Sequence, residues 1–279
     1  MAVDFTQTQL TRLSELGLPA AETVQRFPDN AARDDTYRKL VQAASAGSRR
    51  KISGLLTETH TPSLCALTQT LAQALCADGF TQVTTPTIIP KSALDKMSVD
   101  NSHPLRDQVF WVDKNSCLRP MLAPNLYDLS RSLLRLTKGP LRVFEIGSCF
   151  RKESEGKLHL KEFTMLNLVE WNIPLDERLP RLKRMLKLVL DAAGIDDYRL
   201  IEENSVVYGA GLDVVTPDDT ELASTSMGPH PLDDAWKITC SWVGAGFGLE
   251  RLLMHKHQAP TIRHYAKSLT FLDGCALNI

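Results

Sequence analysis

The chain reads as an α+β protein: an antiparallel sheet with helices packed on it, entered through a short helical segment. Three observations carry this. From about residue 60, strand-like stretches follow one another in hairpin-like succession with helices interspersed, the pattern of an antiparallel sheet with flanking helices. Two of those stretches, LRVFEIGSCFRKE and FTMLNLVEW, are long and separated only by a charged segment. Residues 1–58, in contrast, hold no strand pattern.

Taken in order, TQTQLTRLSELG predicts a short helix stopped by Gly17, and DNAARDDTYRKLVQAA a second helix capped near Asp29. The polar stretch AASAGSRRK reads as the start of a linker near residues 45–54, so the expected division is a helical amino-terminal extension over 1–58 and a larger domain over 59–279. PSLCALTQTLAQALCADG has apolar residues at helical spacing, with Pro62 at its start and Gly79 at its end. FTQVTTP alternates like a strand, SALDKM predicts a short helix, and VFWVD with SCLRP predicts a strand pair. APNLYDLSRSLLRLTKG is an amphipathic helix, and RLPRLKRMLKLVLDAAG another that ends at Gly194. YRLIEE, LDVVT and ELASTSM are strands, and a glycine-rich strand runs into the helix of GFGLERLLMHKH.

Composition bounds the function. The net charge of −1 excludes a globally basic nucleic-acid binder, so any polyanion must be met by local patches. The six cysteines show no CxxC and no metal-like spacing. With no signal-like segment and no apolar run long enough to span a bilayer, they read as reduced thiols of a cytoplasmic protein.

Five motifs remain, each with two readings. The charged segment from Arg151 to Glu162 is either a solvated hairpin loop or a polyanion site. On FTMLNLV, Phe163, Met165, Asn167 and Val169 share one face of a strand. Asn167 there is either a core amide bonded to backbone or a pocket group facing a mostly aliphatic ligand. GAGFGLERLLM sets glycines at 244, 246 and 248 before Arg251; alone, it reads as a tight strand-to-helix turn more readily than as a nucleotide site, since no Walker lysine accompanies it. Glu221 and Ser224 in ELASTSM offer hard oxygen donors for Mg²⁺ or simply an exposed edge. The basic residues of RLPRLKRMLK are either a solvated helix face or an RNA contact.

Together, FRKE, the charged loop, the returning strand that starts at Phe163, and the glycine-rich strand leading into GLER resemble the class II aminoacyl-tRNA synthetases. The segment Pro62–Pro86 resembles their first motif, residues 144–171 their second and GAGFGLERLL their third, so the likeness covers about residues 60–279. RPMLAPNLY and the FRKES to FTMLN run are most similar to those members of the family that use pyrrolysine, in the form without a separate amino-terminal tRNA-binding domain.

The resemblance implies the class II synthetase catalytic fold, ATP and Mg²⁺ as cofactors, pyrrolysine and its tRNA, tRNA(Pyl), as substrates, and a homodimer. It implies Arg151 and Arg251 as catalytic residues, within an ATP site of Arg151, Glu153, His159, Leu160, Phe163, Glu221, Leu222, Ser224 and Arg251. Glu221 and Ser224 would hold the metal. Ala123, Leu126, Tyr127, Met165, Asn167, Val169, Tyr208, Trp242 and Gly244 would form the amino-acid pocket, with Tyr208 as a lid. Ser130, Ser226 and Met227 depart from the pattern, where larger or branched apolar residues are expected. A phenylalanine-type class II synthetase, a ligase that acts without tRNA, and a non-catalytic paralogue are the alternatives.

Overall fold

The structure is a computed structural model; it describes residues 2–153, 156–205 and 209–279. It falls into two compact units. One comprises residues 1–66, 156–158 and 253–279, the other residues 67–155 and 159–252.

The first unit is built on helices α1 (Gln7–Glu15), α2 (Ala20–Thr23) and α3 (Asn30–Thr57). Thr6 and Gln9 cap α1 reciprocally, side chain to backbone in both directions. Gly17, at φ 82°, turns the chain where the sequence predicts the stop. Asp29 caps α3 by accepting from the Ala32 N–H at 2.8 Å. Phe5, Leu13, Leu16, Leu18 and Phe27 are buried with Phe271 and Ala276, so the carboxy-terminal residues complete the core of the amino-terminal helices. Phe271 and Ala276 belong to the small hairpin of β10 (Phe271–Leu272) and β11 (Cys275–Ala276).

One expectation fails here. Residues 45–54 are no linker: α3 runs through them as 28 continuous helical residues. Alanine, serine, arginine and lysine are all compatible with helix, and two glycines cost only about 1 kcal/mol each. A polar stretch without a breaker cluster is therefore not a boundary.

The second unit carries a seven-stranded sheet in the order β1-β4-β5-β9-β8-β7-β6. Its strands are β1 (Thr81–Gln82), β4 (Leu141–Phe150), β5 (Glu162–Trp171), β6 (Arg199–Ser205), β7 (Gly209–Val215), β8 (Glu221–Gly228) and β9 (Trp242–Gly248). All neighbouring pairs are antiparallel except the short β1, which lies parallel to β4. A second small ladder pairs β2 (Ile88–Pro90) with β3 (Ser116–Leu118). Strand β2 was not predicted, because the two prolines flanking TII break the alternation. VFWVD, predicted as the partner of SCLRP, contributes only a single bridge from Trp111 to Cys117.

The remaining α-helices among the described residues are α4 (Ser63–Ala77), α5 (Lys91–Lys96), α6 (Ala123–Leu133), α7 (Arg178–Ala193), α8 (Leu232–Trp236) and α9 (Leu249–Lys256). The alternation in β5 sorts its residues between the two faces. Leu166 and Leu168 are fully buried, while Met165 and Asn167 are half-exposed toward a cavity. Helix α7 packs against β9 and buries Leu182, Met185, Leu186, Val189 and Leu190. Three of its basic residues are engaged within the protein. Arg181 pairs with Glu177 and with Glu170, which is 4% exposed; Arg184 bonds Asp78; Lys187 bonds Asp191.

All six cysteines are free thiols, as their spacing predicts. No helix among the described residues is long and apolar enough to cross a membrane.

Candidate active site

Strands β5, β8 and β9 form the floor of a concave site, and α6 with the turn before it forms one wall. Its lining includes Met121, Ala123, Leu126, Tyr127, Arg151, Met165, Asn167, Val169, Trp171, Ser224, Thr225, Ser226, Trp242, Gly244, Ala245 and Gly246. The space is about 690 Å³ with its open mouth included.

The register explains why the floor is open. Asn167 on β5 sits opposite Gly246 on β9, and Gly246 opposite Ser224 on β8. A side chain at Gly246 would come within 3.1 Å of the Asn167 Oδ1 and 3.4 Å of the Met165 Cε. The glycines at 244, 246 and 248 thus do more than turn the chain: alternating along one strand, they leave β9 bare on the side where the pocket lies. Asn167 stands over this floor. Among the described residues its side-chain amide has no partner, so the core-amide reading fails and the amide is open to a ligand.

At the other end of β4 and β5 the charged segment leaves the sheet. Strand β4 ends at Phe150, three residues earlier than predicted, so Arg151 lies just past the strand. Its backbone N–H still donates to Lys161 O at 3.1 Å, which continues the pairing by one step. The guanidinium donates through Nε to Pro120 O at 3.0 Å and lies over the Phe163 ring, 5.3 Å from its centroid. Arg151 Nη1 is 3.9 Å from Glu153, and Glu153 is 3.2 Å from His159 Nε2. Arg151, Glu153, His159 and Phe163 thus form one connected group. Leu160 is half-buried close by in sequence. Residues 154 and 155 of the loop lie outside the described residues.

Arg251 opens α9 and donates to Glu221 at two points, the backbone carbonyl at 3.1 Å and the carboxylate at 3.2 Å. Glu221 and Ser224 are three apart, which would set them on opposite faces of a regular strand. A bulge at Leu222, between the pairs Val214–Ala223 and Val215–Glu221, shifts the alternation and sets both on the same side of the strand, where Ser224 lines the cavity. A half-exposed carboxylate and a hydroxyl are the hard oxygen donors that Mg²⁺ takes, with phosphate oxygens and water filling the remaining positions. Leu222 itself is 1% exposed, so only its backbone is available to a nucleotide.

Two residues that hold this arrangement escaped the sequence reading. Glu250 is 2% exposed, and both its carboxylate oxygens accept from the Thr164 N–H, at 2.8 and 3.0 Å. Strand β9 has already turned into α9 at this level, so the Glu250 side chain replaces the missing strand partner. It fixes Arg251, next to it in sequence, relative to Phe163, next to Thr164. Arg119, 3% exposed, pairs with Glu145 at 2.7 Å and also donates to Ser148 O and Thr85. This buried, fully bonded pair anchors the turn that carries Pro120 and the start of α6. RPMLAPNLY contained Arg119, and GLER contained Glu250, but their partners lie 26 and 86 residues away.

Of the pocket residues named from sequence, Ala123, Leu126, Tyr127, Met165, Asn167, Val169, Trp242 and Gly244 line the cavity. Tyr208 lies outside the described residues. Of the three departures, Ser226 lines the cavity. Ser130 is fully buried on α6 with its hydroxyl unpartnered. No cluster of three or more His, Cys, Asp or Glu side chains suited to a metal occurs among the described residues.

Comparison with known proteins agrees with this geometry. The family model described as "tRNA synthetases class II core domain (F)" matches residues 55–274. Two solved structures of pyrrolysyl-tRNA synthetase from Desulfitobacterium hafniense are 50% identical to the chain. One aligns over 99% of both chains with a TM-score of 0.93, the other over 99% of this chain and 98% of its own with a TM-score of 0.92. Threonine–tRNA ligases of two Treponema pallidum strains are 30% identical over 159 residues, 54% of the chain; the chain spans about a quarter of their length, 27%.

Proposed function

The chain belongs to the class II aminoacyl-tRNA synthetases, and on that premise we propose that it activates pyrrolysine with ATP and transfers it to tRNA(Pyl). The observation that carries the choice of substrate is Asn167: one unpartnered amide on an otherwise apolar wall, above a floor of glycines. Pyrrolysine offers a long aliphatic stem and one amide carbonyl, which that amide can meet. Phenylalanine would leave it without an acceptor at a cost of about 1–3 kcal/mol.

The chemistry is phosphoryl transfer. The amino-acid carboxylate attacks the α-phosphorus of ATP and pyrophosphate leaves; a hydroxyl of the terminal tRNA ribose then attacks the acyl carbon, and AMP leaves. Such a reaction needs positioning and charge neutralisation more than covalent help. Arg151, oriented by Pro120 O and the Phe163 ring, presents a planar fork to the α-phosphate, where charge develops. Phe163 and Arg251 take the adenine between them, with Arg251 also near the outer phosphates. Glu153 accepts from the adenine amino group, and His159 lies toward the phosphates. Glu221 and Ser224 would hold Mg²⁺, which when bound neutralises phosphate charge. Arg251 bonds Glu221 in the structure, so ATP binding would exchange one partner of that carboxylate for another. Tyr208 would close over the amino-acid side chain.

The same reading gives a homodimer, a cytoplasmic enzyme, and a helical extension over residues 1–58 ahead of a catalytic domain over 59–279. Pyrophosphate exchange measured across a panel of amino acids, with and without tRNA(Pyl), tests the proposal. Exchange with pyrrolysine and charging of that tRNA are expected. Exchange with phenylalanine and none with pyrrolysine would refute it.

A further inference from the structure

Behind the pocket wall lies a buried carboxylate that the reaction does not use. Asp233, on α8, is 3% exposed. Its Oδ1 accepts from the Tyr127 hydroxyl at 3.0 Å. Its Oδ2 accepts from the Trp242 indole N–H at 2.9 Å and from the His230 backbone N–H at 2.7 Å. Three donors thus satisfy both oxygens, and two of them belong to pocket walls, since Tyr127 and Trp242 line the cavity while Asp233 does not.

Those two side chains sit in an aromatic cluster at the end of the pocket. The Tyr127 ring stacks on Trp236 at 5.5 Å and meets Trp171 and Trp242 edge-on at 5.3 and 5.8 Å. Ring packing alone leaves an aromatic free to slide or tilt, because offset and edge-on arrangements lie close in energy. Directed bonds from a fixed carboxylate do not. Opposite Trp242 in the register is Gly228, where any side chain would collide with the indole. The indole is therefore held by Asp233 in a space that Gly228 leaves clear for it.

We propose that Asp233 is a positioning residue that fixes the depth of the amino-acid pocket by clamping Tyr127 and Trp242, and so sets how long a lysine-derived side chain the protein activates. This rests on the reading of the pocket given above. Buried charge is costly unless it is fully bonded, and here two of the three bonds constrain a wall.

The test compares Asp233→Ala with Asp233→Asn. Asparagine keeps an acceptor for Trp242 and His230 and can donate to the Tyr127 oxygen, so the clamp survives; alanine removes it. In pyrophosphate exchange, Asp233→Ala is expected to raise KM for pyrrolysine about tenfold, the value of one charge-assisted bond. KM for ATP should stay as in the wild type, and Asp233→Asn should restore the pyrrolysine KM. Tyr127→Phe, which keeps the ring and loses one bond, should shift KM in the same direction by less, and it decides the matter if Asp233→Ala does not fold. The near-UV circular dichroism of the aromatic cluster, read without substrate, should change in Asp233→Ala or Tyr127→Phe and be preserved in Asp233→Asn. Parallel rises in both KM values, an asparagine variant as impaired as alanine, or an unchanged spectrum would overturn the clamp. A wild-type protein that activates no pyrrolysine would instead refute the substrate reading, and the spectrum would still decide the clamp.

Discussion

Arg151 leaves the sheet at the point where β4 ends, and three neighbours decide where its guanidinium points: Pro120 O, the Phe163 ring and Glu153. None of them is a phosphate, and the side chain is partly exposed, so it is held ready without being consumed in a buried pair. Arg151→Ala is expected to abolish adenylate formation while the fold persists. If it acts as an oxyanion donor does, the loss corresponds to about 2.7–4 kcal/mol of transition-state stabilisation. Near-normal pyrophosphate exchange in a folded variant would remove it from the site. Asn167→Ala is expected to weaken pyrrolysine use by about 1–3 kcal/mol and to admit bulkier aromatic substrates, because that wall becomes wholly apolar. Unchanged pyrrolysine activation would show the amide to be idle. Asn167 was legible in the sequence because a strand has a period of two, which put one amide among Phe163, Met165 and Val169. Asp233, Glu250 and Arg119 were not legible. Each is defined by a partner that only the folded chain brings near, Tyr127 being 106 residues from Asp233.

At the scale of elements, long strands and capped helices were readable because each repeats one signal many times. Strands β4 and β5 pair over ten residues, and α7 ends at Gly194 in the left-handed conformation, at φ 71°. Short pieces defined by a single neighbour, such as β2, were not. The basic residues of helix α7 suggest an RNA face, and Arg181, Arg184 and Lys187 also bond acids of the same chain. Neutralising Arg181 would strip one of two guanidinium partners from the buried Glu170, so loss of stability would accompany any loss of tRNA affinity. Helix α3 provides a cleaner test of the linker that the sequence suggested. A side chain at Gly47 or Gly54 would meet nothing within 4 Å, and neither glycine has positive φ. Alanine at each should therefore raise stability by about 0.4–1 kcal/mol, read as a higher Tm. Substitutions without effect would show that residues 45–54 are not helical in solution.

At the scale of the whole molecule, the proposed homodimer has to find its surface. The apolar run LCALTQTLAQAL makes α4 a candidate, but Leu67, Leu71 and Leu75 are spent on the interior of the protomer itself. What α4 leaves outside is polar and small: Gln69, Thr70 and Gln73, with the exposed thiols Cys65 and Cys76. The thiols make the face measurable. Burial pushes the Cys117 thiol up to about 11 and Cys149 to about 12, so neither supplies thiolate at neutral pH. Burial also raises Cys240 and Cys275. Alkylation at neutral pH should therefore report on Cys65 and Cys76. Light scattering at micromolar concentration is expected to give a dimer, and both thiols should be protected there and labelled faster when dilution dissociates it. A monomer at micromolar concentration would dispose of the dimer. A dimer in which Cys65 and Cys76 react as fast as in the monomer would keep the assembly but move its interface away from α4.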